Sequence, residues 1–218
     1  VPFQAVHVDT TFDFPSMYAF RDKYAKEWKL DLVVHANWDA IKQGVNFESN
    51  TALEVCHELK TVGLRQVMDQ HRYEGLILGI RSDEEGSRSK ERFFSVRNKD
   101  FEWDYTDQPP ELWDQFKTDF EQGDHIRVHP ILHWTELDVW EYIKREDIPL
   151  IDLYLAKDGK RYRSLGAQPI TFPIKSDATT VDAIIEELKH TKEAERSGRG
   201  QDKEDNYALQ KLRAKGYM

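Results

Sequence analysis

Cysteine is all but missing from this sequence: Cys56 is the single one in 218 residues. Its isolation excludes an internal disulfide framework and a cysteine-based zinc site. No apolar run approaches the roughly 20 residues a membrane-spanning helix needs, and no stretch is built like a signal peptide. Positive charge is in deficit, with 31 Lys and Arg against 40 Asp and Glu and a net charge of −9. That balance argues against broad binding to nucleic acid or to an anionic membrane. His7, His35 and His129 lack the spacing of a helical metal pair and sit in strand-like patterns, where a core histidine is the commoner case. These absences describe a cytoplasmic protein without a metal centre of its own. An initiating Met is missing too. The chain opens at Val1 and enters a strand pattern almost at once, which points to a segment upstream.

What is there alternates strand and helix. Residues 3–9 read as a strand ending in Asp9-Thr10-Thr11. A helix capped by Ser16 follows to about Lys29, with Met17, Phe20, Tyr24 and Trp28 as a core-facing stripe. Residues 30–35 form a second strand, and residues 51–72 a helix interrupted or ended near Gly63, with Cys56 as a small buried hydrophobe. Residues 74–80 are a third strand. This order predicts an α/β fold with a doubly wound, mainly parallel sheet. Further strands are expected at 93–97 and 126–131. Between them lies a polar excursion in which Trp103 and Trp113 are candidates to face a partner. Thr135 with Asp138 opens a helix through a capping-box pattern, its apolar Leu137, Val139, Trp140 and Ile143 turned inward. From residue 152 the pattern turns basic and Gly-punctuated. Helices are expected after Thr179 and over 206–215, with a charged, mobile stretch between them. The division is thus residues 1–151 as a nucleotide-binding α/β domain and 152–218 as a helical C-terminal extension over its site.

The densest chemistry lies in residues 79–92, Gly-Ile-Arg-Ser-Asp-Glu-Glu-Gly-Ser-Arg-Ser-Lys-Glu-Arg, with three arginines, a lysine and four carboxylates. An open α/β sheet places its ligands in the loops that follow its strands. Arginine and lysine there could hold a polyanion, and Asp or Glu a magnesium ion. The plainer reading is a solvated loop paired with itself.

Taken together, His7-Val8-Asp9-Thr10-Thr11, residues 79–92, Pro110-Glu111-Leu112-Trp113, Arg127-Val128-His129-Pro130, residues 134–140 and Arg163-Ser164-Leu165-Gly166 resemble one family. It is the small, catalytic subunit of the two-subunit bacterial sulfate adenylyltransferases, in the PP-loop superfamily beside the phosphoadenylyl-sulfate reductases. The resemblance runs through nearly the whole chain in order. Three departures stand out. The family's Ser-Gly-Gly-Lys-Asp-Ser loop, which binds the ATP pyrophosphate, does not occur in the sequence. The segment between Tyr154 and Arg161 is short, and Ala167 stands where many members have Cys.

The resemblance implies ATP, magnesium and sulfate as the reacting set and a GTP-hydrolysing large subunit as partner. It leaves self-association open. A sulfate oxygen would attack the α-phosphorus and pyrophosphate would leave. Both reactants are anions, so placed cations are the main requirement. Arg81, directly off the third strand, is the first candidate ligand, with Arg88, Lys90 and Arg92 beside it; if these three lie on a strand, alternation lets two point inward. Asp83, Glu84 and Glu85 would hold magnesium or orient the arginines. Gly79, Asp9 and Thr10 would border the nucleotide. Arg127 is a further anion candidate, and Arg161 and Arg163 would close from the extension or serve the surface. A reductase of the same superfamily needs a redox cysteine near its C-terminus, and none follows Cys56. A binding module without catalysis, or a relative adenylating or thiolating another acceptor, are the other readings.

Overall fold

A computed structural model describes residues 3–199 except 105, 107, 118 and 119. The helix expected over 206–215 lies outside the described residues. Strand β1, Ala5–Val8, runs parallel to β2, Leu32–His35, with Val6 opposite Val33. Strand β3, Gly75–Ile77, runs parallel to β5, His125–Val128, and β4, Phe94–Arg97, pairs antiparallel on the other side of β5. A small antiparallel ladder joins β6, Lys160–Arg161, to β7, Ile174–Lys175. The class is the α/β one read from the sequence, with antiparallel pairing at β4 and in the β6–β7 ladder.

Helix α1, Pro15–Glu27, starts two residues earlier than expected. Phe14 is its N-cap and supplies no side-chain bond, so Pro15, with φ preset for a first turn, replaces the expected Ser16 cap. The aromatic stripe of α1 is not core. No residue of the helix is buried, Trp28 is 52% exposed, and Phe20, Tyr24 and Trp28 instead pack on one another at 4.5 and 5.0 Å between ring centres. Spacing marks an apolar face but not what covers it.

Helix α2, Trp38–Lys42, which the sequence reading missed, is capped by Asn37. Helix α3, Ala52–Cys56, opens on a capping box between Thr51 and Glu54. It continues without a break into a π-helical turn, His57–Val62, and then into α4, Gly63–His71. Gly63 therefore does not end the helix. A Cβ there would stand 3.1 Å from the Val8 side chain, so glycine lets the helix approach β1 closely. From that approach Leu64, Val67 and Met68 pack against Val6, Val8 and Val33 on one side and Leu76 of β3 on the other. One helix face thus joins the β1–β2 sheet to the sheet of β3, β5 and β4.

Helix α5, Glu136–Glu146, has the expected capping box: Thr135 accepts from the Asp138 amide, and Asp138 accepts from that of Thr135. Helix α6, Val181–His190, is capped by Thr180 rather than Thr179. Trp140 of α5 shares a core with Ala178, Ile184 and Ile185, edged by Tyr154 and Leu155. Trp103 is not partner-facing: it is buried under the Arg97 guanidinium, while Trp113 is 86% exposed. Among the described residues no helix is long and apolar enough to cross a membrane.

Candidate active site

Strand β3 delivers the charged loop to a fixed place. The Leu78 amide donates to Val128 and the Ser82 amide to Leu132, so the loop follows the exit of β5. Arg81 emerges between these anchors and is 6% exposed. Its Nε lies 3.1 Å from Asp83, one terminal nitrogen lies 3.6 Å from Glu84, and the other pairs with Glu195, 114 residues later. Asp83 also accepts the Glu136 amide at 2.8 Å. It thereby ties Arg81 to the positive end of α5, where a carboxylate is favoured.

The next residues form a short 3-10 turn, Gly86–Lys90, rather than a strand. Strand alternation therefore does not apply. Arg88 turns inward and pairs with Glu84 and, at 3.7 Å, Glu85, while Lys90 is exposed. Arg92 leaves the site and donates to the carbonyls of Pro109, Lys90 and Glu91. Of the three cations expected beside Arg81, one faces the cavity.

That cavity holds about 360 Å³. Lys60, Arg81, Arg88, Arg196 and Arg199 line it, against the carboxylates of Glu84 and Glu195. Arg196 approaches Glu85 at 3.6 Å. Arg199 donates to the Leu165 carbonyl and Ser164 hydroxyl and lies flat on Gly166, where a Cβ would collide with its guanidinium. The Arg163-Ser164-Leu165-Gly166 turn is thus the seat of an arginine. Burial pushes the Glu195 carboxyl above its usual range; Arg81 opposes this and Glu136 adds to it. Burial likewise raises the Tyr154 phenol at the same wall. A second cavity, about 370 Å³, lies beside β4 with Arg92 and Lys117 outnumbered by Glu102, Asp104, Glu111, Glu121 and Asp124, a lining that repels anions.

Several expected site residues have structural work instead. Arg127 is fully buried on the central strand β5, away from the cavity lining. Arg161 is held by Glu187 at 2.6 Å. Arg163 grips Glu136 at 2.6–3.1 Å and the Glu193 carbonyl at 2.9 Å, fastening the residues before the cavity to α5. Charged side chains far apart in sequence found partners that spacing does not reveal. Asp9 and Thr10 lie just past β1, where Asp9 accepts from the Thr11 amide and Tyr18 hydroxyl and Thr10 is buried. Neither lines the cavity, and Gly79 does not either. Missed by sequence reasoning were Lys60, on a helix that mixes apolar and charged positions, and Glu195, Arg196 and Arg199. No local signal separates Lys60 from Arg65 of the same helix.

The carboxylates expected to hold magnesium do not fit that role. Asp83 is shared by Arg81 and the Glu136 amide, Glu84 by Arg81 and Arg88, and Glu85 by Arg88 and Arg196. Among the described residues, ligand atoms of His7, Asp9 and Asp13 do converge within 4.8 Å. Burial and then Arg21 lower the His7 pKa there, against the pull of Asp13 and Asp9.

Residues 1–173 match the family described as the phosphoadenosine phosphosulfate reductase domain. A sulfate adenylyltransferase subunit 2 of Nocardia farcinica is 40% identical over 248 aligned positions that cover all of this chain and 80% of the relative. One from Mesorhizobium japonicum is 39% identical over all of this chain and 82% of its own. Among solved structures, a phosphoadenylyl-sulfate reductase from Candida auris, in a phosphate complex, superposes with a TM-score of 0.51. It covers 77% of this chain and 70% of its own at 16% identity, a likeness of fold.

Proposed function

The chain belongs to the phosphoadenosine phosphosulfate reductase domain family and, within it, to the sulfate adenylyltransferase subunit 2 proteins, and from that premise we propose how its residues serve adenylyl transfer in sulfate activation. A sulfate oxygen attacks the α-phosphorus of ATP, the bond to pyrophosphate breaks, and adenylyl sulfate and pyrophosphate result. No protein nucleophile is needed. The obstacle is repulsion between anions, and fixed cations in one recess oppose it.

The observation that carries this reading is the convergence of Lys60, Arg81, Arg88, Arg196 and Arg199 on one recess, with the Glu195 carboxylate already paired to Arg81. A carboxylate sits where an oxyanion would be held. Arg81 is the primary ligand. Arg88 and Arg199 build the wall, and Asp83 and Glu84 keep Arg81 in place. Asp9, Thr10 and Gly79 face the nucleoside of ATP. The extension from residue 152 covers the site. Magnesium would come with ATP, and no step is routed through it. The designation of the relatives as subunit 2 supports a partner subunit, and a GTP-hydrolysing partner suits a reaction that runs steeply uphill.

Sulfate-dependent ATP–pyrophosphate exchange by the full-length chain with its partner tests the reading. Arg81→Ala should lower exchange by roughly 10²–10³-fold, the usual effect of removing one charge-stabilising donor. Exchange that ignores sulfate, or survives that substitution, would overturn it.

A further inference from the structure

We propose that Lys60, alongside Arg81, grips the acceptor sulfate directly, and that the π-helical turn His57–Val62 presents it to the recess. This rests on the reading of the cavity as a sulfate site. The first support is position. Lys60 lies in the middle of the turn and lines the cavity, while its neighbours Leu59 and Thr61 are buried. The core anchors the turn on both sides, and the lysine alone reaches the recess. Wider turns of this kind are rare and gather at functional sites.

The second support is the accounting of partners. Arg81 is engaged by Asp83, Glu84 and Glu195, Arg88 by Glu84 and Glu85, Arg196 by Glu85, and Arg199 by Leu165 and Ser164. Among the described residues, no carboxylate or carbonyl pairs with the Lys60 ammonium. A half-buried ammonium without a carboxylate partner, in a recess shared with four guanidiniums, is placed to take an anion. Chemistry adds the third support. A guanidinium is a rigid fork, whereas an ammonium on a four-carbon stem can follow a tetrahedral anion as it moves toward phosphorus. The paired arginines keep the shape of the recess while the lysine follows the reactant.

Lys60→Met and Lys60→Arg, in the full-length chain with its partner, test this. For Lys60→Met, kcat/KM for sulfate should fall about 100-fold. The KM for ATP should stay within about twofold, and Lys60→Arg should recover part of the loss. Calorimetry with inorganic sulfate should show binding to wild type and none to Lys60→Met. A sulfate kcat/KM within about threefold of wild type, or a parallel rise in the KM for ATP, overturns the proposal. If Lys60→Met fails to fold, Lys60→Gln carries the same comparison. Should wild type show no sulfate-dependent turnover, the functional reading falls, while loss of sulfate binding in the variant would still identify Lys60 as the anion ligand.

Discussion

His125 shows what one residue loses in this interior. It is buried on β5, and its pKa is lowered to about 3, first by burial and then by the Arg127 and Arg97 guanidiniums. The unfolded chain protonates it near its ordinary value of 6.5, so between pH 6.5 and about 3 the unfolded state binds the extra proton. Stability therefore falls as pH drops through that window, by about 1.4 kcal/mol per pH unit at most, and is unaffected above it. His125→Gln should flatten that slope. Urea midpoints at pH 7 and pH 5 for both proteins check it: the wild type should lose more on acidification. The residue scale also shows which cations were legible. Arg81 and Arg88 could be read because their carboxylate neighbours stand within a few residues. Arg161 and Arg163 looked equivalent, yet their partners Glu187 and Glu136 lie 26 and 27 residues away, a distance at which sequence patterns carry no pairing information.

Elements were read best where their signals are local. The boxes at Thr51 and Thr135 each pair two side chains three residues apart, and both helices begin where those residues stand. Thr135→Ala should cost about 1 kcal/mol and lower the melting temperature by about 2–4 °C in a differential scan. What the pattern could not give was the fate of α1, because its aromatic stripe specifies a face and no cover. Nor could it give the π-turn, since the apolar positions 52, 55, 56 and 59 read as ordinary helix up to the residue before Lys60. The 3-10 turn at Gly86–Lys90 was hidden likewise: Ser-Arg-Ser-Lys alternates like a strand but lacks the apolar partners that make one.

For the whole molecule, ion pairs fasten residues 152–199 to the α/β layers beside the shared core around Trp140. Glu136, at the start of α5, is buried under the Arg163 fork. Arg163→Met would leave that carboxylate uncompensated, a loss of roughly 3–5 kcal/mol by the usual cost of breaking a buried pair. Limited proteolysis should then cut near residue 193 faster than in wild type, since Arg163 also holds the Glu193 carbonyl. If the cleavage pattern does not change, the segment is held by other means. Order of elements and class of fold were readable at this scale. An extension from residue 152 over the site was expected, but not the contact that holds Glu195, because Arg81 and Glu195 stand 114 residues apart.

That last contact has a kinetic meaning. A recess that already contains its own carboxylate is never simply vacant, so an oxyanion that is to reach Arg81 must trade places with Glu195. Capture is then a ligand exchange whose first step belongs to the protein. The observed rate should climb with sulfate at low concentration and level off at the rate at which Glu195 lets go of Arg81. Because burial already raises that carboxyl, mild acid should lift the plateau. Stopped-flow traces of sulfate binding would show the levelling in wild type and a straight line in Glu195→Gln.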